Sequence, residues 1–117
     1  MKCAVIFGGT GFIGSFFAKY LLDNDCFGKV YLVDIESSFS KKSKFRTREL
    51  ESDSRIEFVS IDVKLLNENF RPPEDIILIA NFAAIHREPG HEISEYFDTN
   101  ILGAENVCKW ANFVGCK

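Results

Sequence analysis

"FGGTGFIGS", residues 7–15, decides how the rest of this chain reads. Four of its nine residues are glycine, at positions 8, 9, 11 and 14. Immediately before, residues 3–7, "CAVIF", form a short continuous apolar run. Its length and the glycines that bound it favour a strand covered on both faces. Beyond it the period changes. Ile13, Phe17, Tyr20 and Leu21 recur at three- and four-residue spacing, which predicts a helix from Gly11 to about Asn24, ended by "NDCFG". A bare turn that joins a buried strand to a helix opens an alternating α/β fold.

The remaining elements continue that alternation. "KVYLVD" at 29–34 is a second strand, rich in β-branched and aromatic residues. Residues 36–54 are polar and charged and read as a long surface loop with a short helix near its end. "RIEFVSID" at 55–62 is a third strand. Residues 64–70 can hold a helical turn or two, which "RPPED" ends because consecutive prolines forbid continuation. "DIILIANFAA" at 75–84 opens with a fourth strand. A long helix follows over about 92–114, with an apolar stripe at Ile93, Phe97, Ile101, Ala104, Val107, Cys108, Ala111 and Val114. Strands alternating with helices imply a parallel sheet with helices on its faces.

Composition narrows the function. A chain of 117 residues that is 46% hydrophobic supports one domain with a core. Most of the twelve phenylalanines read as core filler. A net charge of −3 argues against general nucleic-acid binding, which needs a basic surface. The basic stretch "KKSKFRTR" at 41–48 is followed by Glu49, Glu51 and Asp53 and reads as a solvated loop. Cys3, Cys26, Cys108 and Cys116 form no C-x-x-C pair and are not spaced with the histidines as zinc ligands. They are expected to be free thiols in a reducing cytoplasm, with Cys3 and Cys108 as small core residues. The longest apolar stretch, 76–85, is far below the roughly 20 residues needed to span a bilayer, and no signal peptide or metal site is visible.

The glycines have physical tasks. Gly9, Gly11 and Gly14 satisfy G-x-G-x-x-G, and Gly8, Gly11 and Gly14 satisfy G-x-x-G-x-x-G. The first permits a tight turn, the middle one lets backbone approach a pyrophosphate, and the last lets the helix pack closely on the strand. The helix N-terminus then directs N–H groups and partial positive charge at the phosphates. Asp34 stands 20 residues after Gly14, at the end of the second strand. There a carboxylate accepts from adenosine ribose hydroxyls and repels a 2′-phosphate, favouring NAD over NADP. The plainer alternative is a tight turn with Asp34 capping a loop. A P-loop is excluded because no Gly-Lys-Ser/Thr follows.

Five segments, "GGTGFIGS", "LVDIE", "SIDV", "ANFAA" and "TNILGAENV", occur in order over nearly the whole chain. In this the chain resembles the N-terminal part of an extended short-chain dehydrogenase/reductase of the NAD-dependent epimerase/dehydratase type. The resemblance implies a Rossmann-type doubly wound parallel sheet, here incomplete with its first four strands. It implies that Gly8, Gly11, Phe12, Ile13 and Gly14 wrap the pyrophosphate, largely through backbone, and that Asp34 holds the ribose. It implies that Asp62, with Val63 beside it, meets the adenine. Phe82, Ala83 and Ala84 would line the channel toward the nicotinamide ribose, and Asn100 would stand near the active centre. From its place beside the apolar stripe, Asn100 is expected to be partly buried, and it also fits an ordinary structural hydrogen bond. Asn81 fits either a site residue or a partner for backbone groups after the fourth strand. His86 fits either the cofactor path or a surface loop, and His91 has no role assigned.

The family's chemistry needs a Tyr-x-x-x-Lys pair, and this chain has none. Tyr20, Tyr31 and Tyr96 are followed four residues on by Asn24, Ile35 and Asn100. The expectation is therefore residues 1–117 as part of an NAD-binding domain, a truncated piece whose catalytic region and substrate domain are absent. The parent would act on a nucleotide sugar. The fourth strand would be left as an exposed sheet edge, favouring a homo-oligomer or self-association. Two alternatives stand beside this reading: an NADP-dependent reductase of the same superfamily, with residues 41–48 reaching the 2′-phosphate, and a non-catalytic dinucleotide-binding protein.

Overall fold

The computed structural model describes residues 1–35, 50–83, 94 and 98–116, the side chains of Asp98 and Thr99 excepted. The basic stretch 41–48, Ala84, His86, His91 and Tyr96 lie outside the described residues. The elements are β1 (Lys2–Phe7), α1 (Phe12–Asp23), β2 (Lys29–Asp34), β3 (Ile56–Ser60), a 3₁₀ turn (Val63–Leu65), β4 (Asp75–Asn81), a π turn (Asp98–Leu102) and α2 (Gly103–Val114). Leu50 and Glu51 are helical, where the end of the long loop is expected to carry a helix. The four strands form one parallel sheet in the order β3-β2-β1-β4.

β1 is central, and its side chains alternate between two cores. Cys3, Val5 and Phe7 join Tyr31, Val33, Val63, Leu66, Val107 and Trp110 on the α2 face. Ala4 and Ile6 join Ala18, Leu21, Leu22, Val30, Leu32 and Leu50 on the α1 face. That two-sided cover makes "CAVIF" uniformly apolar. Phe7 meets the Trp110 ring edge-on at 5.4 Å, and Phe70 stacks on the same indole at 5.3 Å. Truncating a buried aromatic such as Phe7 costs about 3–5 kcal/mol.

Several expectations change. α1 buries Gly14, Ser15, Ala18, Leu21 and Leu22, whereas Ile13 and Tyr20 are exposed. The small residues let the helix lie close to the sheet, which turns the large ones outward. Among the described phenylalanines only Phe7 is fully buried, and Phe12, Phe16 and Phe113 are exposed. Residues 64–70 hold one 3₁₀ turn, Val63–Leu65, and no further helix. In the last helix the π turn adds a residue to the helical count and shifts the phase of the stripe. The buried positions of α2 are Gly103, Val107 and Trp110. Ile101 and Cys108 therefore face outward, and Cys108 is not a core residue. All four cysteines are free thiols, and burial pushes that of Cys3 up to about 11.

Helix ends are closed locally. Gly115 adopts φ +77°, and the N–H groups of Gly115 and Cys116 donate to the carbonyls of Asn112 and Ala111, which terminates α2. Arg55 ties the end of α1 to the start of β3. Its guanidinium donates to Asp53 Oδ1 and Oδ2, to Asp25 Oδ1 and to the Leu22 carbonyl.

The bonds from Arg55 hold the Asp53 carboxyl below its ordinary value. A depressed carboxylate contributes stability above its unfolded value, about 3.9, and loses it as pH falls through the lower folded value. Arg55→Met should lower the melting temperature at pH 7. Its deficit should narrow as thermal melts are taken below about pH 4. A deficit that stays constant down to pH 2 would contradict this assignment.

Candidate functional site

The loops that matter leave the C-terminal ends of the strands. From β1 the chain moves one way to β2 and β3, while β4 lies on the other side, so the order reverses at the end of β1. Open α/β sheets bind ligands at that reversal. The glycine turn sits there. Gly8 has φ +74°, and a Cβ on it would lie 2.6 Å from Phe82 C and Ala83 N. A Cβ on Gly14 would collide with the Gly8 carbonyl oxygen. Both glycines are demanded by the fold itself.

Gly11 is different. Its φ of −72° and ψ of 175° are extended backbone that any residue adopts. Among the described residues, a Cβ there would meet the Gly8 oxygen, at a tight 3.3 Å. It is the N-cap of α1, a position where glycine ranks with threonine, and it brings no capping side chain of its own. Packing constrains position 11 less than positions 8 and 14. Close approach of a ligand gives a reason for a glycine there.

The end of β2 is fastened to this turn. Gly8 and Gly9 N–H both donate to the Val33 carbonyl, at 2.7 and 3.3 Å. Thr10 donates its N–H and its hydroxyl to Asp34 Oδ2, at 3.2 and 2.6 Å. Asp34 Oδ1 accepts from the Ile35 N–H at 2.9 Å. The carboxylate is thus oriented by groups from two segments. Thr10, fully buried, is a site residue that the motif reading does not single out. Its signal was the hydroxyl inside a glycine turn, a polar group that must find a partner when buried.

The other expected positions fall around the same strand ends, with differences. Asp62 follows β3 and caps its own 3₁₀ turn, Oδ1 accepting from the Lys64 N–H at 3.0 Å. The Val63 side chain is buried in the α2-face core. Asn106 on α2 donates to the Val63 and Lys64 carbonyls, both at 3.0 Å, and fixes that turn from behind. Asn81 Oδ1 accepts the Ala83 N–H at 3.0 Å, the backbone-satisfying role of the two open to it. Phe82 N–H donates to the Phe7 carbonyl at 2.7 Å, and the Phe82 ring packs on Phe17. Asn100 stands exposed on the π turn, not partly buried as its helical position suggests. Single π turns often mark functional positions in helices.

Elsewhere, a cavity of about 460 Å³ lies between α2 and the segment before β4, lined by Leu66, Trp110 and Phe113 among others. Trp110 Nε1 already donates to the Phe70 carbonyl and Asn106 to the 3₁₀ turn, so these polar groups serve the fold. No cluster of metal-ligating residues occurs among the described residues. No helix among them is long and apolar enough to cross a membrane.

Comparison with known proteins agrees with this geometry. The model of the NAD dependent epimerase/dehydratase family matches residues 4–117. A UDP-glucose 4-epimerase of Rickettsia bellii is 32% identical over 112 residues, which cover 94% of this chain and 33% of that protein. The structure of a dTDP-glucose 4,6-dehydratase from Streptomyces venezuelae, with NAD bound, superposes with a TM-score of 0.78 at 26% identity, over 99% of this chain and 37% of that one. A UDP-glucuronic acid 4-epimerase from Bacillus cereus in complex with NAD superposes at 0.76 with 22% identity, over 100% and 38%. The chain spans about a third of the length of these relatives.

The three glycines should separate in thermal and denaturant unfolding. Gly8→Ala and Gly14→Ala should each lose roughly 2–3 kcal/mol or more, from strain and collision with backbone. Gly11→Ala should lose less than about 1 kcal/mol. Equal losses at all three positions would show that Gly11 too is retained for the fold.

Proposed function

The chain belongs to the NAD dependent epimerase/dehydratase family, and on that premise we propose that it is the cofactor-binding portion of an NAD-dependent nucleotide-sugar epimerase or dehydratase. The observation that carries this reading is the glycine turn at the start of α1, with Gly11 less crowded than Gly8 and Gly14, beside a carboxylate oriented by Thr10 and Ile35. The residues present fit an adenosine diphosphate. Gly8, Gly11, Phe12, Ile13 and Gly14 surround the pyrophosphate, with the exposed Phe12 and Ile13 contributing backbone from the first turn of α1. Asp34 takes the ribose hydroxyls. Asp62 and the Val63 backbone border the adenine. Phe82 and Ala83 would line the way to the nicotinamide ribose, with Ala84, outside the described residues, assigned there by the resemblance alone, and Asn100 would stand near the reacting sugar.

When bound, NAD supplies the hydride acceptor and donor for the sugar carbon. This chain's own residues bind and orient; none moves a proton from a sugar hydroxyl, because no Tyr-x-x-x-Lys pair occurs in the 117 residues. The expectation is that these 117 residues alone give no turnover. Four free thiols fit a reducing cytoplasm. The carboxylate at 34 weighs against the NADP-dependent reductase reading. The non-catalytic dinucleotide-binding reading shares the same cofactor site.

Self-association is the reading that two described surfaces support. β4 is an edge of the described sheet, and its register with β1 skips Ile77, which is 50% exposed. Phe12, Phe16 and Tyr20 add an exposed apolar face on α1. Such edges and faces pair with another chain.

Calorimetric titration should show NAD binding at least about tenfold tighter than NADP, with Asp34→Ala narrowing that ratio, since each 1.4 kcal/mol is tenfold. Tighter NADP binding would favour the reductase reading. With UDP-glucose or dTDP-glucose and NAD, the chain should show no turnover. Sedimentation velocity should give a weight-average mass that rises with concentration; a monomer at every concentration would contradict the self-association.

A further inference from the structure

We infer that Thr10 is a positioning residue that presents the Asp34 carboxylate to a ribose diol and ties that acceptor to the glycine turn. The inference rests on the cofactor reading of the site and goes beyond it, because neither the glycine motif nor the acid at its end requires a hydroxyl at position 10.

The geometry is specific. Thr10 is wholly buried between two glycines of the turn, and both its donors converge on one oxygen, Asp34 Oδ2. The 2.6 Å hydroxyl bond has the length of a charge-assisted contact to a carboxylate, the strong class of hydrogen bond. On the other oxygen, the Ile35 N–H at 2.9 Å stops the group from rotating about its last bond. Removing the threonine hydroxyl takes away the shortest of the bonds from Thr10 and Ile35 and leaves the longer Thr10 N–H bond, at 3.2 Å, on that oxygen. More of the ordering of the carboxylate would then fall at the moment of binding. Groups held in place beforehand bind more tightly because that ordering is already done.

The second consequence is mechanical. Gly8, Gly9 and Thr10 attach to Val33 and Asp34 through four hydrogen bonds. The turn that would meet the diphosphate and the acid that would meet the ribose therefore shift together. Removing the hydroxyl cuts the shortest of those four links. It should cost the ribose contact more than the phosphate contact, since Gly11 and the start of α1 are untouched.

The test compares ADP with 2′-deoxy-ADP by calorimetry on the 117-residue chain. The unaltered chain should favour ADP by about tenfold or more, the size of a hydrogen bond to a charged group. Thr10→Val keeps the volume and removes the donor; it should reduce that preference at least threefold, and Thr10→Ser should restore it. Thr10→Ala repeats the comparison without a methyl against the carboxylate, in case the valine chain does not fold. Equal weakening of both nucleotides, an unchanged preference in both donor-less variants, or no recovery with serine would overturn the assignment. Those results leave the cofactor reading standing. Failure of the unaltered chain to distinguish the two nucleotides would instead overturn the ribose role of Asp34, and the role of Thr10 with it.

Discussion

Four hydrogen bonds from Gly8, Gly9 and Thr10 to Val33 and Asp34 fasten the first turn of the chain to the end of the second strand, and the rest of the site depends on them. They form because the turn is nearly stripped of side chains. Gly8 enters the left-handed region against the backbone of Phe82 and Ala83, and Gly14 brings α1 down onto the Gly8 carbonyl. The same contacts set the height of α1 over the sheet. A helix that approaches so closely can cover the sheet only with small residues, which is why Gly14, Ser15 and Ala18 are buried while Phe12, Ile13, Phe16 and Tyr20 stand outside.

A second set of constraints holds the far side. α2 reaches the connection between β3 and β4 through Asn106, on the carbonyls of Val63 and Lys64, and through Trp110, on the carbonyl of Phe70. The indole is also the centre of the aromatic packing with Phe7 and Phe70. Asp62 and Val63 are thereby fixed from behind, as Asp34 is fixed from the glycine turn. The two ends of the proposed adenosine pocket are built by opposite faces of one sheet, and β1, buried on both, links them.

What could be read from the sequence follows from how local each cause is. "KVYLVD" became a strand over the expected residues because its flanks and its β-branched content act within the segment. The glycine turn, Asp34 and the parallel alternation were legible because period and spacing encode them. The exposure of Tyr20 and Cys108 was not, since it depends on how close a helix sits and on an extra residue in a π turn. Side-chain bonds across 24 and 43 residues, Thr10 to Asp34 and Asn106 to Val63, had no pattern to announce them. Their only sign was a polar residue at a position the fold buries or faces inward.

The proposed adenosine diphosphate site lies at the strand ends, apart from the Leu66–Trp110–Phe113 cavity. Amide chemical shifts of the isotopically labelled chain, followed as NAD is added, test that placement most directly. Saturable shifts concentrated at residues 8–15, at Asp34 and Ile35, and at Asp62 and Val63 are expected. Shifts centred on the α2 cavity, or scattered without saturation, would contradict it.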